Sequence, residues 1–109
     1  MKDGPTQFLP LSPAALHILL ALAGADMHGY GIMQEVKRQS DGAYKLGPGT
    51  LYDNLQRLMD QGMVHEIESD DPRRRIYRLS SLGRKVLSAE ISRLEGVVRE
   101  GRLHLRRSS

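Results

Sequence analysis

Three consecutive arginines, Arg73 to Arg75, are the residues of this sequence with the most evident capacity for chemistry. They follow two aspartates and a proline in the stretch "ESDDPRRRIYRLSSLG", which runs from Glu68 to Gly83. Arginine side chains donate hydrogen bonds in a planar fork that suits phosphate oxygens and guanine edges. Taken alone, however, such a charge run favours a solvated turn, so its role depends on the elements that position it.

The remaining reactive side chains form no recognisable catalytic or metal-binding set. The four histidines share no metal-ligand spacing, and the absence of cysteine excludes thiolate metal sites, disulfides and cysteine nucleophiles. The segment "HGYG", from His28 to Gly31, lacks the third glycine of a dinucleotide-binding fingerprint because Gln34 occupies that position. No catalytic order of serine, histidine and aspartate and no P-loop is present. We therefore predict no enzyme, no metal and no cofactor.

Length and composition predict one small soluble domain. The chain has 109 residues, of which 39% are hydrophobic and 27% are charged, which suits a single core. Its net charge of +3 favours an anionic partner only weakly, because recognition depends on where the cations cluster. No apolar run approaches the roughly 20 residues that span a bilayer, so we expect a cytoplasmic protein with no membrane contact.

Local signals predict a mainly α-helical chain with a small β-hairpin. After an extended arm over residues 1–11, helices are expected at 12–24, at about 29–40 and from Thr50 to Gly62. Two strands, 63–68 and 75–80, are then separated by a turn that contains the arginines. This order is typical of a winged helix-turn-helix domain, over residues 12–80, in which the third helix enters the major groove of DNA.

A final helix, capped by Ser80 or Ser81, is predicted to mediate dimerisation within residues 81–109. It carries apolar residues at alternating spacings of four and three, which is the heptad pattern of paired helices. The first helix is apolar on nearly all sides, so it is either central in the core or shared with a second subunit. The predicted homodimer interface consists of Leu16, Leu20, Leu87, Ile91, Leu94, Val98 and Leu105.

The outward side chains of the third helix suit DNA recognition. Asn54 could pair with an adenine edge, Arg57 with guanine or phosphate, and Thr50 with phosphate. Asp53 on the same helix would repel phosphate. A solvated face of a purely structural helix is the alternative.

Four segments together carry a resemblance to a known family. "HGYGIMQEV", "GTLYDNLQRLMDQGMV", "RRRIYRLSSLG" and the trailing helix resemble, in this order and spacing, the PadR family of bacterial winged-helix transcriptional regulators, over about residues 12–105. The resemblance implies a homodimer that binds an operator and usually represses, with the C-terminal helix packed on the partner subunit. Met59 stands where the family often has glutamate.

The resemblance also implies roles for individual residues. Thr50, Leu51 and Tyr52 match the start of the family's recognition helix, and Arg73 to Arg75 with Tyr77 match its wing. From the residues alone, the tyrosines are more typical of a core or an interface. The complete set of predicted contacts to double-stranded DNA is Lys45, Gly49, Thr50, Tyr52, Asn54, Arg57, Arg73, Arg74, Arg75 and Tyr77.

Two further functional interpretations are compatible with the same elements. A winged helix can dock a protein partner and never touch DNA, although such a module does not need arginines at the tip of its hairpin. A small hydrophobic effector could also bind in an apolar chamber between the first helix and the dimerisation helix.

Overall fold

The computed structural model describes residues 4–108 of the chain, and it is mainly helical with one small antiparallel sheet, as predicted. A single 3-10 turn, Pro5–Phe8, precedes the longer elements. These are α1 (Pro13–Gly24), β1 (Met27–His28), α2 (Gly29–Gln39), α3 (Pro48–Asp60), β2 (Val64–Ile67), β3 (Ile76–Leu79) and α4 (Ser81–Ser108).

The helices begin where a side chain caps the free backbone amides of the first turn, or where a proline sets its backbone angle. The Ala15 amide donates to the Ser12 hydroxyl at 3.1 Å, which caps α1 as predicted. Of the two serines considered for α4, Ser80 is the cap, because its hydroxyl accepts from the Gly83 amide at 2.9 Å. α3 begins two residues before the predicted Thr50, since Pro48 at its first turn has the backbone angle that a helix start requires.

The sheet has three strands in the order β1-β3-β2. The predicted hairpin is β2 paired with β3, with Val64 opposite Leu79 and Ile67 opposite Ile76. The sequence did not predict β1, whose two residues are too few to show an alternating pattern. Because Met27 of β1 pairs with Tyr77 of β3, the start of α2 is fixed against the hairpin.

The N-terminal segment corrects the prediction of an extended arm over residues 1–11. Residues 1–3 lie outside the described residues, but Pro5–Phe8 is helical, and Phe8, Leu9 and Leu11 pack against the core. The Leu11 amide donates to Glu90 Oε2 at 2.8 Å, which attaches the segment to α4. The segment is therefore part of the folded domain.

One core joins all four helices to the sheet. α3 contributes an apolar stripe to this core, because Leu51, Leu55 and Leu58 are buried. The start of α4 packs closely on the residue that precedes β2, since the Ser80 amide donates to the Met63 carbonyl at 2.9 Å. The Ser80 hydroxyl donates to the neighbouring Gly62 carbonyl at 2.6 Å.

Gly83→Ala is expected to destabilise the fold by about 2 kcal/mol, a typical cost of overpacking. A Cβ at Gly83 would overlap the Met63 carbonyl, which is backbone held by the Ser80 amide and has little freedom to move. Gly96→Ala is the matched control, because the space around Gly96 is open and alanine favours a helix. Thermal unfolding followed by circular dichroism should show a lower Tm for the first variant only; equal Tm values would contradict the close packing.

Candidate nucleic-acid interface

The loop between β2 and β3, here called the wing (residues 68–75), is organised by Asp71. The Asp71 carboxylate accepts from the Arg73 amide at 2.9 Å and from Arg73 Nε at 3.2 Å. The Asp71 carbonyl accepts from the Arg74 amide at 2.9 Å. The backbone and side-chain hydrogen bonds from Arg73 hold the pKa of Asp71 below its usual range. The turn is thus defined by its own charges, and its three arginines are exposed.

The three wing arginines are restrained to different degrees. Arg73 bonds to Asp71, and Arg75 Nη1 lies 3.8 Å from Glu66 Oε1. Arg75 also lies close enough to Tyr77 to lower the pKa of its hydroxyl, against the larger effect of burial. Arg74 makes no hydrogen bond or ion pair through its side chain with any residue in the range 4–108. Its charge acts on Asp71 through space only, so its guanidinium can meet an external anion without breaking a hydrogen bond or an ion pair.

A cleft of about 590 Å³ lies between the wing and the starts of α2 and α3, and we call it the wing cleft. It brings together the predicted Tyr52 and all three wing arginines, and it adds residues of the "HGYG" segment, for which the sequence predicted no DNA contact. Its lining is His28, Gly29, Tyr30, Tyr52, Arg73, Arg74, Arg75 and Tyr77.

Tyr52 reaches the wing cleft because Gly29 has no side chain. The Tyr52 hydroxyl lies against the first residue of α2, where a Cβ would overlap it. The ring of Tyr52 is 48% exposed, and that of Tyr30 is 63% exposed. Two aromatic side chains and three cations thus share one surface that spans α2, α3 and the wing.

Tyr77 is a correction to the predicted DNA-binding residues. Its side chain is only 2% exposed and belongs to the core behind the wing cleft. Burial raises the pKa of the Tyr77 hydroxyl, so the group stays neutral. Because β3 must place alternate residues inward, Tyr77 anchors the wing in the core, and only a small part of its side chain reaches the lining of the cleft.

The other predicted contacts lie on α3 and just before it. Lys45, Gly49 and Thr50 are exposed near its N-terminus. Asn54 is half-buried, and its Nδ2 donates to the Thr50 carbonyl at 2.8 Å. Together with Arg57 it lines a smaller hollow of about 270 Å³ beside the N-terminal segment. The structure therefore places Asn54 and Arg57 on one flank of α3 and Tyr52 on the other.

The predicted dimer residues separate into two groups. Leu87 is a correction, because it is only 5% exposed and packs in the chain's own core. Leu16 and Leu20 are half-buried against that core. Leu94 is of intermediate exposure and lies outside the set of residues that pack on the core. All exposed large aliphatic side chains of residues 4–108 lie on α4, and they include one residue outside the heptad pattern, Val97. They are Ile91, Val97, Val98 and Leu105.

Glu90 is a buried acid at the junction of α4 and the N-terminal segment. It is 1% exposed, and its carboxylate accepts from the Leu11 amide and is paired with Arg93. The hydrogen bond from Arg93, assisted by the Leu11 amide, lowers the pKa of Glu90 despite its burial. The sequence interpretation missed this residue, because its partner Leu11 lies 79 positions away.

Glu90→Gln is expected to destabilise the fold by about 1.5–3 kcal/mol at neutral pH, the range for hydrogen bonds to charged groups. Since the pKa of Glu90 is lower in the folded than in the unfolded state, its contribution is present above the unfolded value of about 4.3 and is lost as the pH falls through the folded value. Denaturant unfolding at about pH 7 and about pH 3 should show the difference from wild type shrinking at the acidic pH. A difference independent of pH would show that only packing had changed.

Within the range 4–108, no three acidic or histidine side chains come together as a group that could hold a metal ion. No helix in that range has the length and apolar character needed to cross a membrane.

The chain is similar to known transcriptional regulators in both sequence and structure. Residues 18–89 match the model of the transcriptional regulator PadR-like family. Transcriptional regulator Rv3488 of Mycobacterium tuberculosis is 40% identical over 87 residues, which are 78% of each chain. A transcriptional regulator from Clostridium thermocellum superposes with a TM-score of 0.72 at 26% identity, covering 79% of this chain and 84% of that one. Bacillus subtilis PadR, solved in complex with operator DNA, shares the fold with a TM-score of 0.64 at 21% identity, over 75% of this chain and 48% of that one.

Proposed function

Because the chain belongs to the PadR-like family of transcriptional regulators, we propose that it is a homodimeric repressor that binds an inverted-repeat operator in double-stranded DNA. The observation that carries the proposal is the wing cleft, where three arginines and two exposed tyrosines lie beside α3. Its DNA partner places the protein in the cytoplasm. Bacillus subtilis PadR, which shares the fold, was solved with operator DNA, and this supports the same partner here.

In the proposed complex, α3 enters the major groove and the wing lies along the backbone. The arginines of the wing supply contacts to phosphate, which set affinity and salt dependence, while side chains of α3 reach the base edges. Thr50 and Lys45, exposed near the start of α3, add backbone contacts on the other side of the groove. The wing is held rigidly for this purpose by Asp71 at its turn and by Tyr77 in the core.

Dimerisation rests on α4 from Ile91 to its C-terminal end. Its exposed Ile91, Val98 and Leu105 continue the heptad spacing, with Leu94 between them. A helix of 28 residues is about 42 Å long, so this part of α4 extends well beyond the turns that pack on the core. A twofold dimer would present two α3 helices to major-groove faces about 34 Å apart, which calls for an inverted repeat.

The proposal retains the small hydrophobic effector predicted from the sequence. α1 packs on α4, and Leu16 and Leu20 of α1 are only half-buried within one chain. An apolar molecule bound between α1 and the paired α4 helices would change the separation of the two recognition helices and so relieve repression.

One observation favours the alternative of a winged helix that binds a protein. The outermost stripe of α3 includes Asp53 and Asp60, and carboxylates repel phosphate. Selection of tight-binding sequences from random duplexes, followed by titration at several salt concentrations, separates the two functions. We expect an inverted-repeat motif, two protomers for each duplex and an affinity that falls steeply with salt. If no duplex binds at low salt, the protein is a protein-binding module.

A further inference from the structure

The outer stripe of α3 is acidic, and we define it as Gly49, Asp53, Gln56 and Asp60. These residues recur at intervals of four, three and four positions, which places them on one line along the helix. They are all exposed, and they lie opposite the buried Leu51, Leu55 and Leu58. In any complex in which α3 enters a groove, this stripe is the part that goes deepest.

Folding gives no reason for an acid at position 53. The Asp53 side chain forms no hydrogen bond or ion pair with residues 4–108. The helix dipole stabilises acids in the first turn of a helix, and Asp53 lies beyond the first turn of α3. Asp60 differs, because its Oδ1 accepts from Gln56 Nε2 at 3.0 Å. Of the two carboxylates in the outer stripe, Asp53 is therefore the one without a hydrogen-bond donor among residues 4–108.

The positions of the cations explain how an acid could lie in a DNA complex. Arg57 lies on one flank of α3, and Tyr52 with the wing arginines lies on the other. Phosphates form the two walls of the groove, so the flanks meet them, whereas the outer stripe faces the base edges on the groove floor. Asp53 would thus be separated from the phosphates that it repels.

We propose that Asp53 is a specificity-determining residue that accepts a hydrogen bond from the N4 amino group of a cytosine in each operator half-site; this rests on the proposed function. An ionised carboxylate only accepts hydrogen bonds, and the major groove offers amino donors on cytosine and adenine alone. In adenine the amino group lies beside the N7 acceptor, which repels a carboxylate. Cytosine presents its donor without that neighbour.

The same carboxylate lowers the affinity for all other sequences. Where no amino group faces Asp53, its charge is desolvated without a partner and lies close to acceptor atoms of the bases. Asn54, which the sequence interpretation assigned to base readout, is turned to the flank and bonded to its own helix. The base contact therefore moves by one residue, from an amide suited to adenine to a carboxylate suited to cytosine.

Selection from random duplexes with wild type, Asp53→Ala and Asp53→Asn tests the inference. Wild type should select a cytosine at one position of each half-site. Asp53→Ala should lose that preference, which for one base contact corresponds to roughly tenfold discrimination, and Asp53→Asn should select adenine instead, because an amide pairs with its N6 and N7 atoms. Both variants should bind a random duplex more tightly than wild type.

Glu100→Gln is the matched control for charge, since it removes an exposed acid from α4 on the side opposite the apolar residues. It should select the wild-type motif. If both Asp53 variants also select the wild-type motif, Asp53 does not read a base, while the proposed function stands. If wild type binds no duplex at any salt concentration, the proposed function fails and the base contact fails with it. Circular dichroism spectra confirm that the exposed substitutions leave the fold intact.

Discussion

Leu94→Asp is expected to convert the protein to a monomer and to abolish operator binding. Leu94 lies one turn from Ile91 and one turn from Val98, in the middle of the apolar residues that α4 exposes. In a twofold dimer the substitution introduces two carboxylates into one buried contact, and an unpaired buried charge costs several kcal/mol. A monomer holds one half-site only, so the affinity gained by linking two half-sites is lost.

Light scattering gives the mass of this variant, and titration with the selected operator at fixed salt gives its affinity. Ser92→Asp is the matched control, because it adds the same charge to an exposed position on the opposite side of α4. It should remain dimeric and bind the operator. A Leu94→Asp protein that stays dimeric would indicate that the main interface involves Leu16 and Leu20 of α1 instead.

The periodicity of α4 predicted which side of the helix is apolar but not where the chain's own core ends. Leu87 fits the heptad pattern as well as Leu94 does, yet it is buried within the monomer. The reason is the close packing of Gly83 on the Met63 carbonyl, which brings the first turns of α4 onto the sheet. No local pattern contains that information, because it depends on a contact between separate elements.

Local signals were sufficient for the helices and insufficient for the contacts between distant segments. Ser12, Ser80 and the leucines of α3 placed their helices because caps and apolar stripes act over one or two turns. β1 exists only because two residues pair with β3, about 50 positions later in the chain, as the register of Met27 with Tyr77 shows. The N-terminal segment likewise owes its position to Glu90.

The sequence predicted which residues form the candidate site better than it predicted how they are arranged. The wing arginines and Tyr52 were identified from the sequence, and the structure brings them into one cleft. Gly29 carried a signal that was not used, since a glycine at the first position of a helix leaves room for a neighbouring ring. Helical spacing alone would have placed Asp53 outermost on α3, but the adenine-binding capacity of asparagine drew the prediction to Asn54.

Arg73→Ala combined with Arg74→Ala is expected to weaken binding to operator and random duplex by similar factors of about tenfold or more. The two guanidinium groups lie at the tip of the wing, where Arg74 forms no side-chain hydrogen bond or ion pair with residues 4–108 and Arg73 bonds to the partly exposed Asp71. For each phosphate contact that is lost, binding releases about one counterion fewer from the DNA. The plot of log affinity against log salt should therefore become shallower by roughly two.

Arg84→Ala combined with Lys85→Ala removes the same charge at the other end of β3, on the exposed side of the first turns of α4. Because net charge changes equally in both double variants, any difference in salt dependence reports position alone. An unchanged slope for the wing variant would show that the wing is not a DNA contact. A loss of affinity confined to the operator would instead show that an arginine reads bases. Arg74 is then the residue to substitute singly, because its guanidinium breaks no hydrogen bond on entering the groove.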